Sequence, residues 1–154
     1  MIPKFRAWLR AEKRMYPVAY IHWEGGNIVE IGLEGLTEDD NGYEVYDVVE
    51  PKDCDLMQST GLKDRNGVEI FEGDILSDCS SQYHAHSRWY CVFFHGGDES
   101  SGGIGYQFKY VPHDSLCGGY IPRVCPSSVE GMFCLGNRYA NPELLRAEEM
   151  EGKR

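Results

Sequence analysis

The sequence predicts a mainly β protein. Three observations carry this. Apolar and polar residues alternate at period two through much of the chain. Short turn sequences rich in Gly, Asn and Asp punctuate these runs. Only the segment after residue 140 opens with helix-start chemistry. About nine strands joined mostly as antiparallel hairpins are expected, in a barrel or in two linked small sheets.

KFRAW at 4–8 sets Phe5 and Ala7 against Arg6 and Trp8, the pattern of a half-buried strand. RAEK makes a polar turn and MYPVAYIHW resumes as strand, with Pro17 marking an edge or a bulge. EGGN at 24–27 offers two glycines for positive φ, so VAYIHW and IVEIGL form a hairpin. TEDDNG at 37–42 is an acidic loop, and YEVYDVV at 43–49 alternates again.

LMQSTGLKDRNGVEIFEGDIL at 56–76 is the most densely specified stretch. LMQST reads as a short strand, and Asn66-Gly67 as a type I′ hairpin turn with positive φ at both central positions. Glu72-Gly73-Asp74 then steps into the apolar Ile75-Leu76.

Further on, SDCSSQYHAHS at 77–87 is a polar loop and RWYCVFFH at 88–95 a central strand covered on both sides. GGDESSGGIG separates it from YQFKYV at 106–111, giving a long-looped hairpin. Three prolines break 112–128, and VEGMFCLGN at 129–137 is the last strand. Asn141-Pro142-Glu143 opens a C-terminal helix of about two turns: Asn caps, Pro takes the first position and Glu faces the positive end of the dipole.

The totals narrow function. The 154 residues suit one domain or two small β modules. No apolar run approaches the ~20 residues of a membrane span, and MIPKFRAWLRAEKR lacks a signal-peptide core, so a soluble cytoplasmic protein is expected. With 15 basic and 25 acidic residues the net charge is −10, which repels phosphate backbones. The first 14 residues run the other way, with Lys4, Arg6, Arg10, Lys13 and Arg14 against Glu12, and read as a solvated basic edge. The six cysteines form no C-x-x-C and read as free, partly buried thiols.

Candidate chemistry is sparse. His84 and His86, with Cys79, Cys91 or His95, supply zinc-type donors, but without the paired spacing of structural sites; they read as loop histidines. Asp53, Asp55, Asp64, Glu69, Glu72 and Asp74 crowd the middle of the chain, where acid–base chemistry or Mg²⁺ binding competes with backbone capping by short side chains. Capping is the simpler role for Asp64 and Asp74. No Ser/His/Asp or Cys/His arrangement has a recognisable context, and the sequence has neither a Gly-x-Ser-x-Gly elbow nor the Gly-Lys-Ser/Thr ending of a phosphate loop. His84, His86, Arg88, Trp89 and Tyr90 form the one basic–aromatic cluster and the candidate binding face, with single-stranded nucleic acid as the ligand it would suit. Against that, alternate residues of a central strand belong to the core.

Three blocks, KFRAW…KRMY, LMQSTGLKDRNGVEIFEGDIL and LGNRYANPELL, resemble the YopX family, small proteins of bacteriophages and prophages, mostly of unknown function. The resemblance implies an N-terminal antiparallel β portion over 1–60, packed against an SH3-like β-barrel over 61–154 with long loops inserted at 77–130. It brings no catalytic residue, cofactor or metal. The reading that follows is a non-enzymatic, macromolecule-binding β protein, with a single-stranded nucleic-acid binder as the alternative and a metal-dependent enzyme behind it. Its acidic charge favours a protein partner over nucleic acid, and sheet edges make a homo-oligomer an option. Far-UV circular dichroism of the purified protein is expected to be β-dominated; a helix-dominated spectrum would overturn the fold class.

Overall fold

A computed structural model describes residues 3–38, 44–78, 89–95, 105–111 and 129–145. Outside these residues lie most of the acidic loop and of the 96–105 loop, the proline-broken segment 112–128, and Cys79, His84, His86 and Arg88. The described chain is mainly β, with ten strands, and divides into two compact units, Met1–Ser59 and Thr60–Arg154.

In the first unit β1 (Phe5–Leu9), β2 (Arg14–Glu24), β3 (Asn27–Glu38), β4 (Glu44–Val49) and the first half of β5 (Cys54–Lys63) form an antiparallel sheet, ordered β4-β3-β2-β1-β5. The period-two pattern of the sequence sets its inner face: Ala7, Tyr16, Ile31, Leu33 and Cys54 are buried together, with Leu9, Val18, Ile28, Val49 and Leu56 against them. The β2–β3 turn is the expected one, with Gly25 at φ 59° and Gly26 at 84°. Arg10 fixes the far end of β1. Its guanidinium meets the Asp55 carboxylate at 2.7 and 3.0 Å and donates to the Lys52 carbonyl.

Pro17 lies in an interior strand, not at an edge. Residues 14–17 of β2 pair with β1 and residues 18–24 with β3, and the register shifts between Val18 and Tyr20. The proline therefore sits where the strand changes partner and enters a bulge, a place where a missing N–H is tolerated.

The second unit begins within β5, which is longer than the LMQST expected. Its later residues lead to β6 (Glu69–Phe71) through a turn at 64–68. This turn is not type I′. Gly67 has φ 82°, but Asn66 is not at positive φ; Gly67 N donates to Asp64 O and Asp64 N to Val68 O. That is a type I turn closed by a glycine bulge, and the Asp64 carboxylate selects it: Oδ1 accepts from both Asn66 N and Val68 N at 2.8 Å.

β7 (Asp74–Ser77), β8 (Trp89–His95), β9 (Gly105–Val111) and β10 (Phe133–Asn137) form a second sheet, ordered β10-β7-β8-β9. Both faces are covered, as expected for β8. Leu76 and Val92 pack with Ile70 and Val129 on one side; Ile75 and Cys91 pack with Leu144 on the other. Among the described residues the sheets are open and no closed barrel, SH3-like or otherwise, is formed.

Two further expectations are corrected. The last strand starts at Phe133, because 129–132 make a turn closed by Met132 N to Val129 O. The described part of the C-terminal helix is a single 3₁₀ turn, Pro142–Leu145. Asn141 turns its Oδ1 back to Asn137 N instead of capping forward, and residues 146–154 lie outside the described set.

Two buried carboxylates tie the middle of the chain to its end. Asp64 Oδ2 accepts from Cys134 N at 3.0 Å, and Arg65 N donates to Met132 O. Asp74, 1 % exposed, accepts from Phe71 N and from Asn137 Nδ2, while Arg138 N donates to Gly73 O. Replacing Asp64 by Ala leaves three backbone donors without this acceptor. Urea unfolding is expected to show a loss of about 2–3 kcal/mol, with Asp64→Asn losing less because one acceptor oxygen remains. A loss within 0.5 kcal/mol of zero, about the effect of an ordinary surface change, would contradict the clamp.

Candidate functional site

Where β2 leaves β1 at Pro17, the first unit opens a cleft of about 250 Å³, lined by Pro3, Phe5, Val18, Ala19, Tyr20, Ile21 and Trp23. The lining side chains are apolar or aromatic, and apart from the Tyr20 phenol none is ionisable, while polar atoms make up nearly half of the exposed wall. Trp23 is 57 % exposed, unusual for the largest apolar side chain in a chain able to bury a core. The cleft is smaller than the ~300–1,000 Å³ typical of small-molecule sites. It has the size for one or two side chains of another molecule, and no pair of groups within it could perform acid–base chemistry.

Tyr20 is held by its neighbours on β3. It pairs with Gly32, and a Cβ at Gly32 would overlap ring atoms Cδ1 and Cε1, so the ring lies over the glycine. The phenol then reaches Glu30 Oε1 at 2.7 Å. That hydrogen bond first, then burial, then the Glu30 charge, push the phenol above the ordinary tyrosine range. On β4, Val48 pairs with the same glycine and is 53 % exposed, which adds apolar surface on that face.

The residues singled out from sequence fall elsewhere. His84, His86 and Arg88 lie outside the described residues, as does the side chain of Trp89, whose backbone opens β8 opposite Ser77 and Val111. Tyr90 is half-buried against the Ile70–Leu76–Val92 cluster. Cys91 is a core thiol beside Ile75 and Leu144. Among the described residues no three His, Cys, Asp or Glu side chains group as metal ligands. Asp64 and Asp74 are engaged by backbone N–H groups, as the capping reading expected, and Asp55 by Arg10. The three described cysteines, Cys54, Cys91 and Cys134, are free thiols, and burial pushes the Cys54 thiol up, away from a reactive thiolate. No helix of the described residues is long and apolar enough to cross a membrane.

The clamps join two of the sequence blocks in space. Asp64, Gly73 and Asp74 of the middle block bond Cys134, Arg138 and Asn137 at the chain's end. A family model for the YopX protein matches residues 4–146. The chain belongs to the YopX family. A solved structure, protein EF1440 from Enterococcus faecalis, is similar to it at 30 % identity and a TM-score of 0.63, over 94 % of this chain and 99 % of that one. No curated protein matches the chain.

The cleft was not singled out from sequence. Its signal was there, in Tyr20 and Trp23 on a strand facing Gly32, but reading it requires the pairing register. Folding stabilises the neutral phenol of Tyr20. This contribution is complete below the unfolded tyrosine pKa near 10 and is lost as pH rises through the higher folded value. Glu30→Gln and Gly32→Ala are both expected to return Tyr20 toward the ordinary range, followed by NMR of the ring carbons against pH. An unchanged titration in both variants would contradict the Tyr20–Glu30–Gly32 arrangement.

Proposed function

We propose that this YopX-family chain is a phage- or prophage-encoded β protein that acts by binding another protein and not by catalysis. The observation that carries the reading is the open cleft of the first unit, lined by apolar and aromatic side chains, with Trp23 standing 57 % exposed at its side. Exposed tryptophan and tyrosine on a sheet are the usual anchors of protein recognition, because they bury much area at small entropic cost. The net charge of −10 favours a basic protein surface over nucleic acid as the ligand. The buried polar side chains Asp64 and Asp74, the natural candidates for chemistry, are occupied in holding backbone. Binding of single-stranded nucleic acid through the 84–90 segment is the competing reading, and the packing of Tyr90 into a core cluster works against it.

Affinity capture from bacterial lysate at physiological salt tests this. The immobilised protein is expected to retain a protein partner that Trp23→Ala loses. Recovery of nothing, or of the same proteins by both forms, would count against the reading.

A further inference from the structure

We infer that Glu72, Phe94 and Tyr106 of the second unit form a seat for an arginine guanidinium supplied by another polypeptide. That a polypeptide supplies it rests on the reading above; the seat itself uses none of the residues that line the cleft. Phe94 on β8 pairs with Tyr106 on β9, and the two rings meet edge to face, with centroids 5.4 Å apart and planes at 72°. The corner that leads into β7 lies along the other side of β8. Gly73 N donates to Val92 O, and Glu72 Oε1 accepts from Phe94 N at 3.4 Å. The three residues thus form a row across the sheet, where the face that buries Leu76 and Val92 runs out to solvent. Tyr106 packs against that core, while Phe94, two residues beyond Val92, is 47 % exposed. The Glu72 charge reaches both rings: burial first and that carboxylate second push the Tyr106 phenol up.

What the row lacks is a cation. Among the described residues no Lys, Arg or His pairs with the half-buried Glu72 carboxylate, and none lies over the Phe94 ring. Elsewhere the chain covers its rings with its own arginines. Arg14 lies 5.4 Å from the centroid of Tyr16, whose phenol bonds the Glu12 carboxylate. Arg65 lies 5.6 Å from Phe133, and Arg138 5.1 Å from Tyr139. The Glu72–Phe94–Tyr106 row offers the same combination of ring and carboxylate to a cation from outside. An edge-to-face pair covers only one ring face, so others stay open to stacking. A guanidinium meets both demands at once, because its plane stacks on a ring while its N–H groups fork onto a carboxylate. The compact ammonium of lysine has no plane to stack.

The test is an NMR titration of the full-length protein with the blocked tripeptide Ala-Arg-Ala. It is read at the Phe94 amide, which donates to Glu72, and at the Tyr106 ring. Blocked Ala-citrulline-Ala keeps the shape and loses the charge; blocked Ala-Lys-Ala keeps the charge and loses the plane. The arginine peptide is expected to shift both signals with a dissociation constant on the order of 1–10 mM. The lysine peptide should bind about threefold more weakly, and the citrulline peptide should leave the signals unmoved at the same concentrations. Glu72→Gln should weaken the arginine peptide by about tenfold and Phe94→Leu by about threefold. The remaining amide signals verify that each variant is folded, and the arginine–citrulline comparison on the unaltered protein decides the matter if one is not.

Equal binding of the arginine and citrulline peptides, no shift at Phe94, or full binding by both folded variants overturns the seat. Equal binding of the lysine peptide overturns the choice of a guanidinium. Free arginine binding more tightly than the blocked peptide makes a small molecule the ligand and overturns the polypeptide source. None of these results bears on the cleft, which the capture experiment with Trp23→Ala judges separately.

Discussion

The second unit depends on one carboxylate. Asp64 is 6 % exposed, and its two oxygens accept three backbone N–H groups, from Asn66, Val68 and Cys134. A buried charge without partners is costly, and charge-assisted bonds to backbone N–H are among the stronger neutralising contacts a protein can make. The same group thus selects the turn between β5 and β6 and fastens that turn to β10. Asp74 repeats the device ten residues later, on Phe71 N and the Asn137 amide. These contacts explain why a stretch with no reactive chemistry is so closely specified. Gly73 and Gly136 belong to the same pattern. A Cβ on Gly73 would meet Arg138 and Asn137 at 3.2 Å, and one on Gly136 would overlap the Asn141 side chain that accepts from Asn137 N.

The first unit rests on different physics. Its sheet is held by apolar burial on one face, and its distinctive feature follows from a defect in pairing. At Pro17 the strand gives up β1 and takes β3, with a bulge just after. A recess opens beside the place where the partner changes, and the aromatic residues that follow project around it. The opposite relation holds at Gly32, where the lack of a side chain lets the Tyr20 ring lie flat and extends the apolar surface toward Val48. The cleft and the sheet are thus shaped by the same few backbone irregularities.

Much of the fold was legible in the sequence because alternation reports directly on which face is buried. Phe5, Ala7 and Leu9, or Ile31 and Leu33, need no more than period two to be placed. The Gly25-Gly26 turn was equally plain, since nothing else there tolerates positive φ as well. The errors came where a side chain reaches a distant or unexpected acceptor. Asn66-Gly67 resembles a type I′ turn until the Asp64 carboxylate is counted, and Asn141 resembles a helix cap until Asn137 claims it. Pro17 signalled an edge or a bulge, and the register shows the bulge; the change of partner beside it leaves no mark on local pattern. The cleft was missed for a related reason: Tyr20 and Trp23 are ordinary strand residues until the register sets one against a glycine and leaves the other in solvent.

The clamps join residues far apart in the chain: Asp64 and Cys134 are 70 positions apart, and Asp74 and Asn137 are 63. Closing so long a segment carries an entropy cost that grows only logarithmically with its length, so doubling it adds roughly 0.6 kcal/mol. Because the fastening sits at the two ends, the intervening sequence is free to gain or lose residues between its strands with little thermodynamic consequence. The unit is thus closed by a clasp at its two ends, and chain entropy puts little penalty on the length of the segment between them.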